Sequence, residues 1–428
     1  MSNEQKRIGW IDEFKGFVLL LVCLFHIEQS FSHVSLGMLH LSALRMSAFF
    51  FISGMLFSTR RFSNFRDYLV HKTRVLLVPY ILLSLLFLAL DPVLYNFDLF
   101  PKAPRMTVMN IRPEIASVWD YLYWNLAKVF VAGKSSIGSG PLWFVFTLYS
   151  VSLMFYGVQK AAQKIPTILS PLRGSRMTSR TIRRKAVYGL FKSEKTNAEA
   201  GMTKTGAGMA GKVTAFFIAC AALAGGWTLY RNHIRLPLGI ERDLTVLFFF
   251  ACGWLCKGFI QTKDDNCIKR ESRDSQKKRN LILAAAAIVS FAVYAAVENP
   301  DPTFSIMNND LGKSLPRLVA SSFFGIAGLV ASFMLVDKLP DTEPIRSVKG
   351  ILRNISRNAL VILAVHWYIL LVMRLLFKEQ INRPGIAYVS FPIIAIGVIA
   401  AIPLFRCKLY KLLGKKPVTV RESLSIKE

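Results

Sequence analysis

The hydrophobic residues of this chain are gathered into ten apolar runs, separated by polar and often basic segments. Each run approaches the length of roughly 20 residues at which a helix spans the hydrocarbon core of a bilayer. The sequence therefore predicts an all-α integral membrane protein with about ten transmembrane helices. The runs are residues 14–31, 41–57, 75–90, 141–158, 213–230, 244–260, 281–297, 315–336, 359–377 and 386–405.

The Lys and Arg residues are unevenly distributed over the segments between these runs. With the N-terminus inside, the segments predicted to be cytoplasmic carry 40 Lys and Arg residues, and the external segments carry 12. Cytoplasmic loops of membrane proteins carry the excess of positive charge, so we expect both termini in the cytoplasm. The same rule accounts for the formal net charge of +28 without nucleic acid as a partner.

The composition agrees with a membrane protein and disfavours a metal or disulfide scaffold. Hydrophobic residues make up 53% of the chain and charged residues only 19%, which is unusual for a soluble domain. Cys252 and Cys256 lie four positions apart in one apolar run with no histidine at ligand spacing, so we interpret them as helix-packing residues. The first run is not followed by a small-residue cleavage site, and we expect it to be a retained helix.

We predict one transmembrane domain, residues 1–405, followed by a basic cytoplasmic tail, residues 406–428. Residues 159–212 are basic and then rich in Gly and Ala, which favours a disordered cytoplasmic loop attracted to anionic lipid. Residues 91–140 are predicted to form a long external loop with an interfacial or re-entrant helix at VWDYLYWNLAKVFV. The aromatic rings of that helix, Trp124 among them, also suit the face of a sugar.

The first run carries two ionisable side chains at membrane depth. Lys15 and His26 enclose ten residues, of which only Gly16 and Cys23 are not large and apolar. Ionisable groups at this depth are costly unless they are paired or face a cavity, so both positions are candidates for function. The alternative is that Lys15 anchors the helix at the interface and that His26 is a packed histidine.

Other polar residues interrupt the second and ninth runs. Arg45 lies near the external end of the second run, at a depth close to that expected for His26. Ser53 and Gly54 break an otherwise aromatic helix, which would let another backbone or a ligand approach closely. The ninth run contains a second histidine at membrane depth, His366, which is either functional or packed between helices.

A basic loop follows the second run. Its last cations are Lys72 and Arg74, shortly before Pro79. Basic loops at this position usually fix the topology of the chain, but this cluster is also placed to meet a polyphosphate.

Taken together, these stretches resemble the membrane-bound acyltransferase-3 family, and most of all its fucose 4-O-acetylase-like branch, whose members modify bacterial surface glycans. The motifs that carry the resemblance are Lys15-x10-His26, FFFISG with Ser53 and Gly54, Lys72 and Arg74 before Pro79, PLWF at 141–144, and SRNALVILAVH ending at His366. Three features depart from the family pattern, one of which is the length of residues 159–212. Lys15 stands where many members have Arg, which would give a planar fork instead of a point charge, and the usual Arg-x-x-Arg pair is here Lys72 and Arg74.

The resemblance implies acetyl transfer from acetyl-CoA to a hydroxyl of a surface polysaccharide or lipid-linked sugar, in the bacterial cytoplasmic (inner) membrane and without a metal. His26 would act as general base or as transient acyl carrier. Lys15 and Arg45 are further catalytic candidates, because a cation stabilises the negative charge of the transition state.

The resemblance also suggests binding residues. Those for acetyl-CoA are Lys72, Arg74 and Ser53; those for the glycan acceptor are Trp143, His366 and Trp124. The identity of the acceptor, and the membrane face from which it is reached, stay open. The alternative function is a multi-pass transporter or flippase of a glycan or lipid precursor, which would be expected to show an internal repeat. We find no such repeat in the sequence.

Overall fold

Helices account for almost all regular structure in this chain. The computed structural model describes residues 8–31, 34–96, 108, 110–111, 113–174, 195–261, 273–298, 304–340, 342–377, 383–415 and 417. Within these residues the only extended pairings are two isolated bridges, so the predicted all-α class is confirmed. The α-helices are α1 (Gly9–Ser30), α2 (Ser42–Met55), α3 (Phe65–Lys72), α4 (Val78–Asn96), α5 (Val118–Phe130), α6 (Trp143–Gly174), α7 (Lys195–Arg231), α8 (Ile240–Gln261), α9 (Arg273–Val297), α10 (Leu315–Val336), α11 (Glu343–Arg357), α12 (Ala359–Phe377) and α13 (Pro384–Pro403).

Six helices in the described residues are long and apolar enough to cross a membrane. The count becomes seven if α11 and α12, which meet at an angle of 85°, form one broken span. The apolar helix α2 is shorter, and α1 carries several charged residues besides its apolar ones. A multi-pass membrane protein is therefore supported, while the number of ten spans and the cytoplasmic position of both termini stay predictions. The six spans are Phe65–Val93, Gly140–Gln163, Met209–Arg231, Asp274–Val297, Leu315–Val336 and Tyr388–Lys408.

The span Phe65–Val93, which contains the third apolar run of the sequence, begins earlier than the hydrophobic pattern indicates. The side chain of Asn64 accepts a hydrogen bond from the backbone N–H of Asp67 and caps α3, as asparagine commonly does at a helix start. A π-helical turn, Thr73–Leu77, joins α3 to α4. Lys72 and Arg74 therefore lie on a helix and not in the loop expected for them.

The predicted loop at 159–212 is also shorter than expected. Helix α6 continues to Gly174 and α7 begins at Lys195, so only residues 175–194, which lie outside the described residues, remain of it. The alanines at the start of α7 favour helix, because alanine has the highest helix propensity.

Helix α1 is packed against α10 and α11. The ring of Phe14 meets that of Phe333 on α10 edge-on, with 5.5 Å between centroids. Gly16 lies directly against α11, since a Cβ there would be 2.0 Å from the carbonyl oxygen of Leu352. Both contacts lie in the first half of α1, so the packing of α10 and α11 fixes this part of the helix.

Two glycines bring α2 and α8 into backbone contact. A Cβ on Gly54 would lie 1.9 Å from the carbonyl oxygen of Phe250, and one on Gly253 would lie 1.8 Å from that of Phe51. Small residues allow such close approach between membrane helices. The expectation that Gly54 admits another backbone is confirmed, and that backbone belongs to α8.

We predict that Gly54→Ala and Gly253→Ala each destabilise the protein by about 1–3 kcal/mol, because even a methyl group overpacks this contact. Thermal unfolding in detergent, followed by tryptophan fluorescence, measures the effect. Gly157→Ala is the matched control. A Cβ on Gly157 would have no neighbouring atom within 4 Å, and alanine favours helix. Equal unfolding temperatures for all three variants would contradict the backbone contact.

Candidate active site

The second half of α1 brings His26 against α12. The rings of His26 and His366 have centroids 5.4 Å apart, and His26 meets the ring of Trp367 edge-on at 4.9 Å. His366 is fully buried and His26 is half-buried. Two residues that the sequence singled out separately are thus neighbours, although they lie on the first and the twelfth helix.

The nitrogen atoms of these two imidazoles are partnered unequally. Nδ1 of His366 lies 2.6 Å from the carbonyl oxygen of Ile362, one turn earlier on α12. A carbonyl oxygen only accepts hydrogen bonds, so this nitrogen carries a proton. Nε2 of His366 and Nδ1 of His26 are both buried, and neither has a hydrogen-bond partner in the described part of the chain.

Arg45 places a cation beside His26. Its side chain is buried, its guanidinium donates to the carbonyl oxygen of Met38, and its Cζ lies 3.8 Å from the centroid of the Phe25 ring. Phe25 is the sequence neighbour of His26, and Arg45 interacts electrostatically with the imidazole. In the structure Arg45 therefore lies at nearly the same depth as His26, which is the depth that the sequence predicts for it.

Glu28 holds the connection between α1 and α2 in place. Its carboxylate accepts hydrogen bonds from the backbone N–H of Leu36 at 3.1 Å and of Met38 at 2.8 Å. Arg45 donates to the carbonyl oxygen of the same Met38. The carboxylate of Glu28 therefore holds this loop, through bonds to Leu36 and Met38.

Lys15 lies on the same face of α1 as His26 but at the other end. The two residues are eleven positions apart, which corresponds to slightly more than three turns, or roughly 16 Å along the axis. Lys15 is half-buried, and Glu13, two positions before it, forms an ion pair with Arg353 of α11 at 2.7 Å. The structure therefore does not bring Lys15 to the imidazole and instead places the two residues at the ends of one helix face.

Lys72 and Arg74 flank the junction of α3 with the π-helical turn. The Lys72 ammonium lies 5.5 Å from the centroid of the Tyr68 ring, and Arg74 is exposed. Ser53 is half-buried, and its hydroxyl donates to the carbonyl oxygen of Phe49 in its own helix. Arg45 near the start of α2 lies over Phe25 near the end of α1, so α2 runs back along α1 and Ser53 lies towards its Lys15 end. Phe57, just after α2, packs against Tyr68 of α3 at 6.0 Å, which places α3 at the same end.

The two tryptophans assigned to the acceptor have different surroundings. Trp143 is buried at the start of α6, where its backbone N–H donates to the Ser135 hydroxyl at 2.6 Å and Arg242 lies 5.6 Å over its ring. Trp124 is half-buried on α5. That helix lies where the sequence predicts a short helix, and a capping box at Ser117 begins it.

Helix α5 is attached to the bundle by buried polar contacts. The hydroxyl of Tyr121 donates to Asp91 at the end of α4 over 3.1 Å, and the Asn125 carbonyl oxygen accepts from the backbone N–H of Ile137 at 3.1 Å. Asp91 is fully buried. Sequence reasoning missed Asp91, since it follows an apolar run and was assigned to the loop.

Trp367 was also missed and connects His26 to the segment before α6. Its indole N–H donates to the carbonyl oxygen of Ile137 at 2.9 Å. Its ring lies so close to Gly140, whose φ is +46°, that a Cβ there would be 2.3 Å away. The sequence offered one indication of a role for Trp367, which is that it directly follows His366.

The segment between α5 and α6 carries a buried lysine. Lys134 is 8% exposed, and its ammonium donates to the side chain of Asn308 at 2.9 Å. Burial lowers the pKa of Lys134 from 10.5 to about 8, with nearby cations acting in the same direction and Glu241 against them. Those cations are Lys128, Arg242 and Arg235.

Comparison with known proteins identifies the family. The family model of the acyltransferase-3 domain, described as "Acyltransferase domain", matches residues 8–405. The chain belongs to this family. This acyltransferase therefore carries all the candidate residues, from Lys15 to His366, inside the matched region. A search of curated proteins found no match, and neither did a search of solved structures.

We predict that the stability of this acyltransferase rises with pH between about 8 and 10.5, in part through Lys134. Below about pH 8, Lys134 is charged in the folded and the unfolded state, and the folded state bears the full cost of burying it. Above that pH, only the unfolded chain still holds the proton, so the free energy of unfolding increases. The difference between the two pKa values, 10.5 and about 8, corresponds to about 3 kcal/mol in the free energy of unfolding.

Chemical unfolding in micelles at pH 7, 8, 9 and 10 measures this rise. Lys134→Met keeps the aliphatic stem and removes the titrating group, so we expect a flatter dependence on pH. Lys338→Met, at an exposed site, should leave the wild-type dependence intact. If the unfolding free energy of Lys134→Met rises with pH as steeply as that of the wild type, burial of the charged Lys134 does not destabilise the folded state.

Proposed function

We propose that this acyltransferase transfers an acetyl group from acetyl-CoA to a hydroxyl of a surface polysaccharide or lipid-linked sugar in the bacterial cytoplasmic membrane. The observation that carries the proposal is the half-buried imidazole of His26 against the His366–Trp367 pair, with Arg45 over the ring of the adjacent Phe25. A base and a fixed cation beside each other are the two groups that acyl transfer to a hydroxyl needs.

The imidazole of His26 has two possible roles, and the atoms and protons balance in each. As general base, His26 takes the proton of the sugar hydroxyl while the oxygen attacks the thioester carbonyl carbon; the carbon–sulfur bond then breaks and the proton goes to the CoA thiolate. As acyl carrier, the imidazole attacks the same carbon and CoA leaves as the thiolate; the hydroxyl oxygen then takes the acetyl group from the nitrogen, and the hydroxyl proton goes to the thiolate.

Arg45 is suited to stabilise the transition state. The thioester oxygen gains negative charge as the tetrahedral centre forms, and a cation that is already fixed there needs no reorganisation. The guanidinium of Arg45 is held by the carbonyl of Met38 and the ring of Phe25. We assign it the role of oxyanion stabiliser, with Lys15 placed towards the CoA end of the same helix face.

The assignments for donor and acceptor follow the ends of the bundle. Lys72 and Arg74 are assigned to the donor, since two cations about two turns into the span Phe65–Val93 suit the phosphates of CoA. Ser53 of α2 is assigned to the donor with them. Trp124 offers a partly exposed ring for the sugar. Trp143, which is buried beneath Arg242, acts on the acceptor by supporting the segment that precedes α6.

We predict that His26→Ala abolishes acetylation, because neither a base nor a carrier remains. The measurement is the acetate content of total surface carbohydrate in cells that express wild type or variant, with membrane insertion checked by immunoblot. The control is His233→Asn, an exposed histidine with φ +55°, a conformation that asparagine tolerates. Unchanged acetate with normally inserted His26→Ala would remove the catalytic assignment.

We predict that Lys72→Gln and Arg74→Gln raise the KM for acetyl-CoA roughly 10-fold each and leave kcat within about 3-fold, since each removes one charge-assisted contact of about 1.5 kcal/mol. Purified protein in nanodiscs with radiolabelled acetyl-CoA and an extracted glycan acceptor gives both constants. Lys338→Gln, an exposed lysine, is the control. If the KM of the two variants equals that of the control, these cations fix the topology of the chain and do not bind CoA.

A further inference from the structure

We infer that Asn125 of α5 is a positioning residue for His26, and that it acts through the backbone of Ile137 and the indole ring of Trp367. Its effect on acetyl transfer rests on the proposed function, whereas the chain of contacts does not. The sequence gives no sign of this role, because Asn125 and Trp367 lie on different helices, α5 and α12.

The carboxamide of Asn125 is held by both of its polar groups. The side chain is fully buried. Its Nδ2 donates to the carbonyl oxygen of Tyr121, one turn earlier on α5, at 2.8 Å, and its Oδ1 accepts from the backbone N–H of Ile137 at 3.1 Å. A carbonyl oxygen only accepts and an N–H only donates, so one orientation of the carboxamide satisfies both contacts. Asn125 thereby ties α5 to the segment before α6.

Ile137 is held a second time, through its carbonyl group. The indole N–H of Trp367 donates to this carbonyl oxygen at 2.9 Å. The indole has this N–H as its one polar group, and it can only donate. The N–H and the carbonyl of a single residue therefore connect α5 with α12.

The turn that contains Ile137 has little room to move. A Cβ on Gly138 would lie 1.8 Å from the Oδ1 atom of Asp91, and one on Gly140 would lie 2.3 Å from the ring of Trp367. Closely packed protein interiors have low compressibility and pass displacements on to their neighbours. We therefore expect a shift of Ile137 to move the Trp367 ring and not to be absorbed within the turn.

The ring of Trp367 passes this position on to His26. The two rings meet edge-on, with centroids 4.9 Å apart and planes at 66°, which is a favoured geometry for aromatic pairs. The His26 side chain is only half-buried, so its neighbours determine where the imidazole points. A displacement of a reacting group by about 1 Å can lower a rate roughly 100-fold. The place of the Trp367 ring therefore matters for the reaction.

The same contacts reach the residue proposed to meet the sugar. Trp124 is the sequence neighbour of Asn125, and Trp124, Ile137 and Trp367 all pack against one small apolar cluster. Both the sugar-facing ring and the ring beside His26 are thus placed relative to this cluster. Asn125 is suited to keep the acceptor side of α5 aligned with the imidazole. The buried members of the cluster are Leu88, Ile115, Tyr121 and Leu371.

The first test reads the Trp367 indole without any substrate. Protein labelled with ¹⁵N-tryptophan in nanodiscs contains seven tryptophans, and the Trp367 signal is the one lost in Trp367→Phe. In wild type we expect its N–H to exchange slowly with deuterated water. In Asn125→Leu we expect the signal to shift and to exchange faster, while signals of distant tryptophans stay in place. Rapid exchange in wild type, or an unchanged Trp367 signal in Asn125→Leu, would overturn the inference.

The second test separates kcat from KM. Asn125→Leu keeps the side-chain volume and removes both hydrogen bonds, so we expect kcat to fall roughly 10- to 100-fold through misplacement of His26. The KM for acetyl-CoA should not change. Asn125→Asp retains an oxygen that accepts from Ile137 and should recover most of kcat. The matched control is Asn232→Leu, which removes the same kind of bond to a carbonyl four positions earlier at an exposed site and should leave kcat unchanged.

A double variant tests the route through Trp367. Trp367→Phe keeps a ring beside His26 but has no N–H for Ile137. Effects of residues that act through one contact are not additive, so adding Asn125→Leu to Trp367→Phe should lower kcat by less than about 2-fold. If the two effects on kcat multiply in full, Asn125 does not act through Trp367 and the inference is wrong.

The outcomes separate this inference from the proposed function. If His26→Ala acetylates normally while the Trp367 signal depends on Asn125, the proposed function fails and the chain of contacts stands. If His26 is essential but a normally inserted Asn125→Leu keeps the wild-type kcat, the inference fails alone. Equal loss of kcat in Asn125→Leu and Asn125→Asp, with the Trp367 signal unchanged, would assign Asn125 to packing. If Asn125→Leu does not insert, Asn125→Ala removes the same two bonds and takes its place.

Discussion

Ionisable side chains inside an apolar helical bundle need partners, because taking a charge out of water costs several kcal/mol. In this acyltransferase these partners come from distant parts of the chain. Glu13 of α1 pairs with Arg353 of α11, and the amine of Lys134 before α6 binds Asn308 before α10. These polar contacts thereby join helices that are far apart in the sequence, and α1, which carries His26, is one of them.

The two ends of α1 are held in different ways. Near Lys15, Gly16 allows α11 to pack directly against the helix. Near His26, aromatic and polar side chains replace this backbone contact, with the ring of Trp367 against the imidazole and Arg45 over Phe25. Close packing suits the end that anchors α1, whereas side chains with unused nitrogen atoms suit the end where chemistry is proposed.

Single-helix features of the site could be read from the sequence. His26, Lys15 and Arg45 stand out because ionisable residues are rare in apolar runs, and Gly54 because a glycine between aromatic residues marks a close contact. The start of α3 and the burial of Asp91 could not be read in this way. Their charged neighbours resemble those of a loop, and whether such a segment is buried depends on helices elsewhere in the chain.

By itself, the sequence determined the all-α membrane class, most of the apolar helices and the histidine at which to look for chemistry, because each follows from composition and spacing within one segment. Only the tertiary structure decided that His366 and Trp367 are the neighbours of His26 and that Lys15 is not. The physical reason is that helix packing brings side chains together across hundreds of residues, and one-dimensional periodicity carries no information about which helices meet.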